Sequence, residues 1–185
     1  MSLAKPMPFL LLGLLAITPA VHAQAPARPD PIVTVKLSPG LEAKAKKLGD
    51  REVAEMAQEL TKEVQEALAG SHGPGAPVRA DLVLVDLQPN RPTFTQLGDH
   101  PGLSLRSVGL GGAAITGTVA FPDGHTEALT SSYYGDNLRD DPWPGAWRDA
   151  ETAFYDLADS LSHGKTPHDR PVSVATRDSF GSWPY

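Results

Sequence analysis

Val53, Met56, Ala57, Leu60, Val64, Ala67 and Leu68 recur at spacings of three and four residues. That period lays them along one stripe of an α-helix. Glu52, Glu55, Glu59, Lys62, Glu63 and Glu66 occupy the other side. Asp50 is placed to cap the helix, and Glu52 favours the dipole in its first turn. Gly70-Ser71-His72-Gly73-Pro74-Gly75 ends it. A long helix that is apolar on one side only needs an apolar surface to cover.

The surface comes from strands. Ile32-Val33-Thr34-Val35-Lys36-Leu37 alternates and is rich in β-branched residues, and Ser38-Pro39-Gly40 stops it. Leu41 to Leu48 reads as a short Lys-rich helical turn closed by Gly49. Ala80 to Leu87 is nearly unbroken in apolar residues, which predicts a central strand buried on both faces. Residues 93–101 read as a loop with a helical turn. Leu103 to Val108 and Ala113 to Phe121 read as one strand broken at Gly109-Leu110-Gly111-Gly112, or as two. Pro122-Asp123-Gly124-His125 has the chemistry of a hairpin turn, and Thr126 to Tyr134 returns as the partner. Residues 145–162 form a second amphipathic helix with the stripe Trp147, Ala150, Phe154, Leu157, Ala158 and Leu161.

The resulting order is β-α-β-β-β-α. It predicts a two-layer α+β domain over residues 32–163, with a mainly antiparallel sheet and two long helices on one face. Residues 164–185 form a tail without a strong pattern.

Ahead of the domain, Lys5 precedes an apolar run from Phe9 to Ile17, then Pro19 and Val21-His22-Ala23. A charged start, a short apolar middle and small residues before a cut are the layout of a signal peptide. Residues 1–23 are therefore expected to be removed after Ala23. A membrane span needs about 20 apolar residues, and this run is roughly half that. Residues 24–31, Gln-Ala-Pro-Ala-Arg-Pro-Asp-Pro, read as a disordered proline-rich leader. The expectation is a soluble periplasmic or secreted protein without a stable membrane anchor.

The chain contains no cysteine, which excludes thiolate chemistry, iron–sulfur clusters and Cys-based zinc sites. Its net charge is −6, and removing residues 1–23 takes away Lys5 and no acidic residue. An acidic chain without a basic block is poorly suited to nucleic acid, whose phosphates demand Lys and Arg.

Catalytic and cofactor motifs fail on context. Gly109-x-Gly111-x-x-Ala114 matches a relaxed dinucleotide fingerprint, but strand residues follow where a helix N-terminus must face the pyrophosphate. The glycines read better as a bulge, a bend or a close backbone approach. No HExxH or His-x-His spacing occurs among the six histidines. A metal site would have to be assembled from loops, using Asp99, His100, Asp123 and His125. Gly70-Ser71-His72-Gly73 lacks the strand-to-helix elbow of a nucleophilic serine. Asp136, Asp140 and Asp141 sit in a loop with Trp143, near Trp147, a composition used in carbohydrate hydrolysis and equally ordinary in a solvated loop. No catalytic residue, cofactor or metal is assigned.

One place could take a ligand. Arg91 follows the central strand, and Tyr133, Tyr134 and Asp136 end the last one, with Trp143 further along. Strand ends gather at one rim of a sheet, so Arg91, Tyr133, Tyr134, Asp136 and Trp143 form a candidate rim for a small ligand or a carbohydrate.

Ala80–Leu84, Gly109–Gly117, Asp123-Gly124 and Trp147 with Ala153-Phe154 together resemble a set of small secreted or lipid-anchored bacterial envelope domains of unknown function. The likeness covers about half the chain and implies a fold more than an activity. Some proteins of that general shape are accessory modules that dock onto larger envelope machines. This chain lacks the lipidated cysteine. The role expected is a non-enzymatic module that binds or assists a protein partner, with small-ligand or carbohydrate binding or hydrolysis at the rim as the alternative.

Overall fold

The structure is a computed structural model that describes residues 30–71, 75–136 and 145–169. Its elements run β1 (Ile32–Leu37), α1 (Pro39–Leu48), α2 (Asp50–Gly70), β2 (Arg79–Gln88), α3 (Phe94–Asp99), β3 (Gly112–Ala120), β4 (Thr126–Tyr134) and α4 (Arg148–Ser162). The architecture is α+β. One sheet in the order β1-β2-β3-β4 carries the helices. β1 and β2 are parallel, because α1 and α2 return the chain to the same end before β2 begins. The pairings of β2 with β3 and of β3 with β4 are antiparallel.

Local chemistry sets the helix boundaries. The Ser38 hydroxyl accepts from the Leu41 amide at 3.1 Å, and Pro39 begins α1, where a missing N–H costs nothing. Gly49 joins α1 to α2 at φ +104°, a conformation that favours glycine. Gly49 therefore takes the cap position expected of Asp50, and Asp50 is the first helical residue.

α2 and α4 lie side by side over one face of the sheet. Val53, Leu60, Val64 and Leu68 of α2 and Phe154, Leu157 and Leu161 of α4 are buried there. They meet Leu82, Leu84 and Leu87 of β2, Ile115 and Val119 of β3, and Leu129 of β4. Each large buried aliphatic or aromatic side chain stabilises the fold by about 1.5–3 kcal/mol relative to exposure. No helix among the described residues is long and apolar enough to cross a membrane.

A bulge in β2 keeps this core continuous. Leu84 pairs with Ile115, but Asp86 pairs with Ala114, so Val85 is an extra residue. Without it Leu87 would point away from the helices. With it Leu82, Leu84 and Leu87 all face them, and Asp86 turns to the other face of the sheet.

Three expectations change. β2 is central, but its second face is not covered by a helix. Asp81, Val83 and Val85 are half-buried there, shaded by neighbouring strands. Residues 103–108 form turns and not a strand. The Ser107 hydroxyl accepts from the Ser104 amide, and the Ser107 amide returns to the Ser104 carbonyl, closing the chain on itself. Finally, residues 167–169 lie beside β4, where His168 pairs in parallel with Thr130.

Candidate functional site

The ends of β1, β2 and β4 and the start of β3 meet at one rim of the sheet. α1, α3, the 100–111 segment and the start of α4 surround it. Two polar clusters hold this rim together.

The first centres on Asp149, in the first turn of α4 and only 2 % exposed. Its Oδ2 accepts from Asn90 Nδ2 at 2.6 Å and from the Gly111 amide at 3.0 Å. The Asp149 amide donates back to Asn90 Oδ1 at 2.9 Å. Arg148 donates to Oδ1 from Nε and Nη2, both at 3.2 Å. Asn90 is further anchored by its amide to the Ala146 carbonyl, and its own carbonyl accepts from Gly109. This buried charge is thus hydrogen-bonded on both oxygens, as a buried carboxylate must be. It ties the exit of β2, the entry to β3 and the start of α4.

Gly111, from the failed dinucleotide pattern, and Gly135, just beyond β4, serve this packing. A Cβ on Gly111 would fall 2.3 Å from Asn90 Oδ1, and one on Gly135 would fall 2.3 Å from Asp149 Oδ2. They permit close approach, the structural role that the sequence suggested for the first of them.

The second cluster lies on the open face. Asp86 accepts from Lys44 Nζ of α1 at 2.8 Å and from the Tyr134 hydroxyl of β4 at 2.8 Å. Burial works to raise its pKa. The charge of Lys44 and hydrogen bonds from Lys44, Tyr134 and the Leu87 amide outweigh that and hold the carboxyl below its ordinary range. Ser38 links this cluster to the bulge, donating to the Val85 carbonyl at 3.0 Å while capping α1.

The sequence-predicted rim residues divide between different surroundings. Arg91 is half-buried and donates to the Leu105 carbonyl at 2.7 Å. Tyr133 is opposite Ala113 and leaves β4 on the helix side, 37 % exposed. Tyr134 is opposite Gly112 and leaves on the open side, because successive strand residues alternate. Asp136 is exposed just beyond β4. Trp143, with Asp140 and Asp141, lies outside the described residues, as does His72. The tyrosine pair therefore does not line one cleft.

The loop-built metal set is separated by the length of the sheet. Asp99 and His100 end α3 at the rim, whereas Asp123 and His125 form the β3–β4 turn at the far end. Among the described residues no three His, Asp or Glu side chains are arranged to hold a metal ion. At that far end the His125 ring stacks on Phe121 with centroids 4.2 Å apart. Its Nδ1 meets Asp123, and its Nε2 lies 3.4 Å from Glu127. The hydrogen bond to Asp123, which outweighs desolvation, raises the pKa of His125 above its ordinary 6.5. A cavity of about 610 Å³ also lies at this end, between the last turns of α2 and α4, where Glu66, Ser71 and His163 contribute to its walls. None of the predicted rim residues lines it.

Sequence reading missed Asn90, Asp149, Asp86 and Lys44. Asp86 had a signal, a charge inside an otherwise apolar strand, which requires a partner if buried. It also missed two apolar side chains held out at the rim. Phe94 is 80 % exposed and Leu105 is 66 % exposed. Phe94 opens α3, whose Thr93 and Gln96 form a reciprocal capping box. Leu105 is held through its carbonyl by Arg91.

The chain matches no protein-family model and no curated protein sequence.

Proposed function

We propose that this is an exported, non-enzymatic envelope protein, released after cleavage following Ala23, that binds or assists a protein partner through the rim. The observation that carries this reading is the exposure of Phe94 and Leu105 on two hydrogen-bonded rim segments. Exposing large apolar side chains costs burial energy that a packed position would supply. Apolar anchors projecting from ordered backbone suit a protein surface better than a small molecule, which needs a concavity. The buried polar groups beside them are engaged with each other. The separation of Tyr133 and Tyr134 onto two faces further favours a protein partner over a carbohydrate cleft.

Photo-crosslinking in producing cells tests this reading. A crosslinking residue at position 94 or 105 should give one discrete adduct with an envelope protein. The same residue at Gln58, exposed on α2, should not. Absence of any adduct at both rim positions, with the protein exported and folded, would overturn the proposal.

A further inference from the structure

The two edges of the sheet are treated differently. Beside β4, the Thr130 amide donates to the Pro167 carbonyl at 2.9 Å, and the Asp169 amide donates to the Thr130 carbonyl at 2.8 Å. The Ser132 amide reaches Asp169 Oδ2 at 2.8 Å. The chain thus covers that edge with its own residues. β1 forms the other edge. The Ile32 amide donates to Val78 and the Ser38 amide to Leu84, so the even-numbered residues of β1 turn towards β2. Val33, Val35 and Leu37 turn their N–H and C=O groups outward, and among the described residues nothing pairs with them.

This bare edge is built to pair. Its sequence, Ile-Val-Thr-Val-Lys-Leu, combines β-branched and apolar residues, with Lys36 as its one charge and no proline or bulge to blunt it. Val33, Val35 and Leu37 pack against the core yet remain half-buried. Ile32 is 54 % exposed.

We infer that β1 is a self-association edge, pairing antiparallel with β1 of a second copy about a two-fold axis through Val35. The register follows from the chemistry of the strand. Centred on Val35, Val33 meets the second copy's Leu37 and Val35 meets its own counterpart, so every outward N–H and C=O is matched. Core-facing side chains then stay on the helix side of both sheets, and Lys36 stands opposite Thr34 rather than directly opposite another lysine. Centred on Thr34, Leu37 would face Pro31, which has no N–H to give and whose carbonyl already accepts from Gln65 Nε2. A closed two-fold pairing removes the free edge from both copies at once and leaves no surface for further growth. This surface is distinct from the Phe94–Leu105 rim and does not depend on the role proposed for it.

The absence of native cysteine gives a clean test. In the Val35 register Thr34 and the second copy's Lys36 form a non-hydrogen-bonded pair with Cα atoms about 4.5 Å apart. The full-length protein carrying both Thr34→Cys and Lys36→Cys should oxidise to a covalent dimer. Thr34→Cys alone and Lys36→Cys alone should not. Light scattering on the unmodified protein should give roughly twice the monomer mass, and Val35→Pro, checked for retained circular dichroism, should return it to monomer. A dimer with Thr34→Cys alone would overturn the register. A monomeric mass at all concentrations up to the solubility limit, whether the edge is free or covered by the chain's own leader or another protein, would overturn the proposal.

Discussion

The phenol of Tyr134 spans two strands. It leaves β4 beside Gly112 of β3 and donates to Asp86 of β2 at 2.8 Å. A Cβ on Gly112 would fall 2.3 Å from the Tyr134 ring, so the ring lies against a bare glycine backbone. Gly112 has φ +152°, in the range that side chains rarely adopt. Gly112→Ala should therefore destabilise through both strain and overlap, by about 1–3 kcal/mol. Tyr134→Phe removes only the hydroxyl and should cost about 1.5–3 kcal/mol, the range for a hydrogen bond to a charged group. A Cβ on Gly112 would also fall 2.4 Å from the Tyr133 backbone carbonyl, so urea titrations that place the alanine variant within error of the parent would contradict both the strain and the overlap.

Asp86 makes stability depend on acid. Its carboxyl is held below the ordinary value of 3.8, so its contribution is full above that pH and is lost as pH falls through the lower, folded value. Lys44→Met removes the charge that offsets burial. The stability gap between parent and Lys44→Met should be widest above about pH 4 and should narrow in stronger acid. A gap that stays constant from about pH 6 down to about pH 2 would contradict this assignment.

Asp149 is the hub of the rim. Asp149→Ala strips partners from Asn90, Arg148 and the Gly111 amide together, which should cost about 3–5 kcal/mol. Gly111→Ala should also destabilise, because a Cβ there would lie 2.3 Å from Asn90 Oδ1. If the two effects are measured singly and combined, they should be non-additive, because both act on the same Asn90 side chain. Simple additivity would mean that the two groups do not share a network.

At the other end of the sheet, His125 should titrate above 6.5 by NMR, first because of its hydrogen bond to Asp123. Whatever it contributes is present when the ring is charged and is lost as pH rises through its raised pKa. Asp123→Asn should bring the midpoint down. An unchanged midpoint would place the cause elsewhere.

The expected export signal predicts a simple observation. Protein recovered outside the cytoplasm should begin at Gln24, and Ala23→Arg should leave residues 1–23 attached. A recovered N-terminus at Met1 would refute cleavage.

Much of the fold was legible because periodicity reports burial directly. The stripe from Val53 to Leu68 and that from Ala150 to Leu161 are the buried faces of α2 and α4. The hairpin at Asp123-Gly124 was readable from turn chemistry, and Gly124 does adopt φ +90°. Residues 103–108 misled because Leu103, Ser104, Leu105 and Arg106 alternate like a strand. Alternation does not show whether a partner strand is present, and Ser104 and Ser107 bond each other instead. The bulge at Val85 was hidden because Val-Asp-Leu reads equally well in either phase. The hub was harder still. Asp149 reads as an ordinary first-turn acid, and Asn90 as an ordinary turn residue. Their meeting joins positions 59 residues apart, a relationship that no local pattern encodes.

The parallel pairing of β1 with β2 also sets a timetable. Thr34 finds Asp81 across 47 residues of chain, and α1 and α2 must be made in between. Long-range pairing of this kind is slow, because the chain loses loop entropy before contacts compensate for it. As the chain is made from its N-terminus, β1 has no partner in the domain until β2 has been synthesised. The far side of β4 closes later still, when residues 167–169 arrive. Under the export proposed above, this order would leave the first strand without its partner in the domain until Arg79–Gln88 has been made.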